Sequence, residues 1–228
     1  MDTVLSVKNV SLDYRVRRTF FRHKYHRALN DLTFSVQSGE TLGVIGSNGS
    51  GKSTLLKLLA GVYIPTNGTI ENQCHHSMLL SLQLGFDPEL SGRENALLSG
   101  VLLGARRSYV EERLDEITAF AELETSIHDP LKTYSSGMRA RLGFAVAMII
   151  EADLVLIDEV LGVGDIKFQI KARQAMQERI RSEQTVVYVS HSTETVRELC
   201  SRVIWLQNGS IKAIGSTDEV LERYLGAQ

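Results

Sequence analysis

The segment Gly46-Ser47-Asn48-Gly49-Ser50-Gly51-Lys52-Ser53-Thr54 sets three glycines, a lysine and a run of hydroxyls at the spacing G-x-x-x-x-G-K-[ST]. Glycines let the backbone curl closely enough for successive N–H groups to face phosphate oxygens. A lysine in that place reaches the outer phosphates, and the Ser53 hydroxyl is suited to ligate Mg²⁺. Asp158 and Glu159 directly follow the apolar run LVLI. A carboxylate there is placed to hold Mg²⁺ through water, and a second can orient or deprotonate a water attacking the terminal phosphate. His191 follows the run TVVYVS, where an imidazole would contact that phosphate. The small-residue turn Tyr134-Ser135-Ser136-Gly137-Met138 precedes a helical run and so offers an anion site at a helix start. Ser135 and Gly137 would serve either the same nucleotide or one held by a twin chain.

These groups need elements to hold them. Residues 40–45 (ETLGVI) read as a buried strand before the glycine loop, and 55–60 (LLKLLA) as the opening of a helix after it. That context separates a phosphate loop from a chance glycine-rich turn. Residues 154–157 and 185–189 (TVVYV) are fully apolar, as strands of a parallel sheet covered on both faces are. The first of them is expected beside the phosphate-loop strand. Residues 4–10 and 29–36 alternate and predict two further strands. Between them, residues 15–27 hold six Lys/Arg, two His, no acid and three aromatics. This stretch reads as an insertion between the strands, suited to anionic headgroups, nucleic acid or a partner.

From 87 to about 150 the periodicity is mostly helical. Ser108-Tyr109-Val110-Glu111 predicts a capping box opening one helix whose Val110, Leu114, Ile117 and Phe120 share a face. Residues 170–180, 193–199 and 219–225 predict further helices. Asn208-Gly209 between two apolar runs predicts a hairpin.

The chain has 228 residues, 43% hydrophobic and 23% charged, which is ordinary for a globular protein. A net charge of −2 gives no case for nucleic acid. Its two cysteines, Cys74 and Cys200, form no disulfide framework and suit a reducing cytosol. Cys74-His75-His76 are adjacent, so they point in different directions and make a poor metal set. The start of the chain carries an acid and is not expected to be a signal peptide. The longest apolar run, 142–150, is too short to span a bilayer. Any membrane role is therefore expected through a partner.

In order along almost the whole chain, the phosphate loop, the Tyr-Ser-Ser-Gly-Met turn, LVLIDE and the histidine after a strand resemble an ATP-binding cassette (ABC) ATPase. The wording KTYSSGMR at 132–139, Asp158-Glu159-Val160-Leu161, Val163-Gly164-Asp165 and ELSGREN at 89–95 is similar to the ATPase subunits of O-antigen, capsule and teichoic-acid exporters. The resemblance implies one α/β domain over 1–228. A P-loop NTPase (RecA-like) core with an antiparallel β subdomain would occupy 1–86 and 154–228, and a helical subdomain 87–153.

It implies ATP with Mg²⁺. Tyr14 would stack on adenine, and residues 46–54 would hold the phosphates. Asp158, Ser53 and Gln83 would serve the metal, although the spacing from Gln83 to Pro88 differs by one residue. Glu159 would act on the attacking water, and His191 would be the switch histidine. Ser135 and Gly137 would complete the site of the opposite subunit in a head-to-tail homodimer, with Asp165 in the loop linking the two sites. Ser136 and Met138 replace the glycine and glutamine of the commoner LSGGQ form. The implied partners are integral-membrane permease subunits that handle a lipid-linked polysaccharide, with 15–27 touching the membrane surface and no nucleic acid. The implied place is peripheral, on the cytoplasmic face of the inner membrane. Without a further carbohydrate-binding domain, the chain is not expected to read a polymer end-cap. A soluble cassette on ribosomes or DNA, and a small-molecule kinase, are the competing readings. The kinase leaves Ser135 to Met138 unexplained.

Overall fold

The structure, a computed structural model, describes residues 2–19, 22–158, 164–182 and 184–227. Glu159, Val160, Leu161 and Val163 therefore lie outside the described residues. In chain order the elements are β1 (Thr3–Thr19), β2 (Arg22–Gln37), β3 (Thr41–Ile45), α1 (Lys52–Leu59), β4 (Asn67–Asn72) and β5 (Ser77–Leu79). Then come α2 (Gly92–Leu102), α3 (Arg107–Glu112), α4 (Leu114–Ala121), a 3₁₀ turn (Leu131–Thr133) and α5 (Ser136–Ile149). β6 (Leu154–Asp158), α6 (Ile166–Arg181), β7 (Thr185–Val189), α7 (Thr193–Leu199), β8 (Arg202–Gln207), β9 (Ser210–Ser216) and α8 (Thr217–Leu225) complete the order.

Two compact units divide the chain. The first comprises Met1–Ser77, Asp153–Glu159 and Ile180–Gln228, and the second Met78–Ala152 and Val160–Arg179. The main sheet is ordered β5-β6-β7-β3-β8-β9. Every residue of β3 and β7 is buried, which is why both are apolar without alternation. β3 runs parallel to β7 on one side and β8 on the other. The strand carrying Asp158 is therefore not beside the phosphate-loop strand as expected, because β7 stands between them. β8 and β9 form the expected hairpin around Asn208 and Gly209, both at positive φ (48° and 76°) as this turn type demands. Cys200 is buried, and its thiol is pushed up to about 12 by that burial. It packs as an inert small side chain, with Sγ 3.0 Å from where a Cβ on Gly43 would sit.

β1 pairs antiparallel with both β2 and β4. The described residues of the basic stretch, 15–19 and 22–27, are not an insertion between two strands. They are the two strands themselves, continued outward, with Arg15 opposite Tyr25 and Thr19 opposite Arg22. Backbone pairing in a two-stranded ribbon needs no apolar face, so the alternation that marks a half-buried strand is missing here.

In the second unit α5 carries the core, with Phe144 stacked on Phe120 at 6.0 Å and edge-on to Phe168 at 6.1 Å. The expected single helix over 108–120 is broken at Arg113, between α3 and α4. The capping box is not at Ser108 either, since Arg106 precedes α3 without a side-chain cap. It lies at Ser91 and Glu94, opening α2, where the Ser91 hydroxyl and N–H bonds hold the Glu94 carboxyl below its ordinary range. The far end of α5 is closed by Arg179, which donates to the carbonyls of Ala147 (2.8 Å), Met148 (3.2 Å) and Ile150 (2.5 Å). Arg179→Ala would strip these carbonyls of their donor, and thermal unfolding should show a loss of about 2 kcal/mol.

Candidate functional site

In the first unit, β3 delivers the chain into a loop that only glycines can follow. Gly46, Gly49 and Gly51 have φ of 152°, 78° and 107°. A Cβ on Gly46 would collide with the Leu206 carbonyl of β8, so that residue is fixed by the fold itself. A Cβ on Gly49 would meet nothing within 4 Å among the described residues. There the need is conformational, and the space beside it stays free for something outside the chain.

The loop is braced from two sides. Gly209 N–H of the β8–β9 turn donates to the Ser50 carbonyl at 3.0 Å, and Asn30 N–H of β2 donates to the Gly209 carbonyl at 2.8 Å. Lys52 is buried, and its ammonium donates to the Gly46 carbonyl at 2.8 Å and the Ser47 carbonyl at 2.9 Å. The Ser50 hydroxyl is buried without a hydrogen-bond partner among the described residues. Leaving such a group unpaired costs roughly 1–3 kcal/mol, which an accepting phosphate oxygen would relieve.

A cleft of about 440 Å³ opens over this loop. It is lined by Asn48, Gly49 and Gly51 to Thr54, and by Tyr14, Asp158 and His191. Asp158 is half-buried at the end of β6, opposite Val189 of β7. Exposed His191 follows two residues later, in the turn where Ser192 caps α7. One sheet edge thus presents a carboxylate and an imidazole to the loop. Tyr14 comes from β1. Its hydroxyl shares a 3.2 Å hydrogen bond with Thr54 Oγ1, and its ring meets Tyr63 edge-on at 5.5 Å. Burial pushes its phenol up from the ordinary range, so it stays neutral. Ser53 and Asp158 are hard oxygen donors on the same cleft and fit Mg²⁺. Among the described residues no cluster of three or more His, Cys, Asp or Glu could hold a metal unaided. A divalent ion here would lean on phosphate oxygens and water as well.

The cleft also takes His26, Arg27 and Ala28 of β2, and Asn208 and Gly209 of the hairpin turn. Sequence reasoning assigned none of these to the site. The Asn-Gly pair announced a turn, but nothing local tells that the turn supports Ser50. Gln83, Ser135 and Gly137 belong to the second unit. Gln83 is exposed in a turn, and its carbonyl accepts from Phe86 N–H at 3.4 Å. Ser135 caps α5, its hydroxyl accepting from Met138 N–H at 3.1 Å. Gly137 is in the first turn of α5, and a Cβ there would meet nothing closer than 3.8 Å among the described residues. Asp165 caps α6, its carboxylate accepting from Phe168 N–H at 2.8 Å.

Strand, glycine loop and helix at the centre of a largely parallel sheet, with a carboxylate ending a strand two places away, define a P-loop nucleoside triphosphatase fold. Comparison with known proteins narrows this. The family model described as ABC transporter matches residues 29–162, and the chain belongs to that family. It is 42% identical over 215 residues to the O-antigen export system ATP-binding protein RfbB of Klebsiella pneumoniae, covering 93% of this chain and 87% of that one. It is 39% identical over 213 residues to the teichoic acids export ATP-binding protein TagH of Bacillus anthracis, covering 92% of this chain but 39% of that longer one. Among solved structures, the dimeric post-hydrolysis state of the ATP-binding cassette MJ0796 bound to ADP and Pi shares the fold. The TM-score is 0.74 at 22% identity, over 93% of this chain and 98% of that one.

Proposed function

We propose that this chain is the ATP-hydrolysing subunit of an exporter for a lipid-linked polysaccharide, O-antigen above others. The observation that carries the reading is the single cleft in which the phosphate loop, Tyr14, Asp158 and His191 meet. The adenine would rest on Tyr14, and the triphosphate on the N–H groups of 46–54 and the Lys52 ammonium. Ser53 and Asp158 would hold Mg²⁺, which when bound neutralises charge on the outer phosphates. Glu159 would orient the attacking water and accept its proton, while His191 donates to the terminal phosphate. Positioning and charge neutralisation are most of what phosphoryl transfer asks of a protein.

Ser135 and Gly137 would act on the nucleotide of a second copy, making the working unit a homodimer. Among the described residues, neither φ nor packing requires a glycine at 137. A ligand at the start of α5 would require it. Membrane-spanning permease subunits would be the further partners, at the cytoplasmic face of the inner membrane. The basic outer part of the β1–β2 ribbon would lie towards the headgroups. No described helix is long and apolar enough to cross a membrane itself. The similarity to a teichoic-acid exporter subunit supports a second cargo of the same class.

Gly137→Asp tests the shared site. The substitution has room among the described residues, and an acid in the first turn favours the helix. A carboxylate there would repel a phosphate. Calorimetry should show ATP binding kept, while sedimentation shows no ATP-driven dimer and turnover falls at least about tenfold. A variant that still dimerises on ATP would exclude this turn from the site.

A further inference from the structure

The β1–β2 ribbon carries an irregularity directly over the phosphate loop. Leu12 pairs with Leu29 but Asp13 pairs with Arg27, so Ala28 is an extra residue in β2. Such a bulge bends its strand and re-aims the side chains beyond it, and bulges recur beside active sites. Here the Ala28 carbonyl lies against both Gly51 and Gly209, 3.0 Å and 2.5 Å from where a Cβ on each would stand. The kink is thus seated on the loop and on the turn that braces it. It is also clamped from outside. Arg27 gives two parallel hydrogen bonds to Asp13, at 2.9 and 3.1 Å, and a third to Asn30 at 3.2 Å. The same guanidinium holds the Asp13 carboxyl below its ordinary range, so the clamp stays charged around neutral pH.

Past the bulge, Tyr14 and His26 are directly opposed across the two strands. Opposed residues of an antiparallel pair project from the same face. Both line the cleft. The Tyr14 ring is drawn towards α1 by Thr54, whereas His26 remains exposed. The two rings thus reach one cleft from neighbouring positions on one face, where a slot between them would take a flat base. We propose that His26 is a second base-contacting residue, and that the nucleotide base inserts between its imidazole and the Tyr14 ring. The Ala28 bulge and the Asp13–Arg27 clamp hold the slot at the height of the phosphate loop. This inference rests on the proposed nucleotide site and adds to it a residue for recognising the base.

The test is calorimetric, on the full chain with two probes: ATP, which has a base, and inorganic tripolyphosphate, which has none. His26→Ala is expected to bind ATP about tenfold more weakly, the size of one lost stacking partner, with tripolyphosphate affinity unchanged. His26→Phe, which keeps a stacking face, should restore ATP affinity. An ATP affinity within about twofold of wild type in His26→Ala would overturn the proposal. Equal weakening for both probes would overturn it too, because the effect would then lie with the phosphates or the loop. If wild type binds neither probe, the nucleotide site itself fails and the slot fails with it.

Discussion

Lys52→Ala should lower ATP turnover at least about a hundredfold, the scale of removing one preorganised charge from a phosphoryl-transfer site. The ammonium is buried and fixed by two carbonyls of the loop that it would serve, 2.8 and 2.9 Å away. A charge held there before the nucleotide arrives needs no reorganisation when charge moves in the reaction. Its stem also fills the start of α1, so a drop of about 1–2 kcal/mol in stability is expected alongside. Thermal unfolding separates that modest effect from the large kinetic one. Lys52→Arg should recover little, because a planar fork cannot take the place of a point charge seated between the Gly46 and Ser47 carbonyls. Phosphate release above a tenth of the wild-type rate in Lys52→Ala would remove this loop from the reaction.

Glu159→Gln should slow hydrolysis by at least about a hundredfold while leaving ATP affinity near wild type. The change keeps size and hydrogen-bonding shape and removes only the ability to take a proton. Asp158 ends β6 opposite Val189, and His191 follows Val189 by two residues, so both reach the same end of the sheet. Glu159 is the next residue of the sequence after Asp158. With cleavage blocked, ATP should hold two copies together. Size-exclusion chromatography should then show a dimer with ATP and a monomer with ADP. Asp158→Asn should behave differently, with a raised Mg²⁺ requirement. Normal turnover in Glu159→Gln would move the general-base role to another residue.

What the residues disclosed in advance follows from where each element buries its surface. β3, β6 and β7 are covered on both faces, and their apolar runs were legible for that reason. The Asn208-Gly209 hairpin was legible because its backbone excludes most other residues. The outer halves of β1 and β2 were not, since a paired ribbon satisfies its backbone whatever its side chains are. The pattern Ser-x-x-Glu occurs at both Ser91 and Ser108. The first caps α2, whereas the second lies inside α3, which starts at Arg107 and ends just before Arg113, whose guanidinium rests on the Tyr109 ring at 3.7 Å. Of the residues read as nucleotide ligands, Tyr14, Lys52, Ser53, Asp158 and His191 line one cleft. Gln83, Ser135 and Gly137 stand in the second unit. The contribution of 26–28 and 208–209 was illegible because it depends on contacts across most of the chain's length, as between Ser50 and Gly209.

That last tie has an effect on biogenesis. Gly46 is packed against the Leu206 carbonyl, and Ser50 is tethered by Gly209, although about 160 residues separate them in the chain. While the polypeptide is still emerging from the ribosome, the loop that starts near residue 46 has no backing. Its geometry can set only after the hairpin near residue 209 has been made. A nascent chain that stops short of residue 209 therefore carries the phosphate-binding letters without the pocket, and cannot consume ATP until that hairpin has been made.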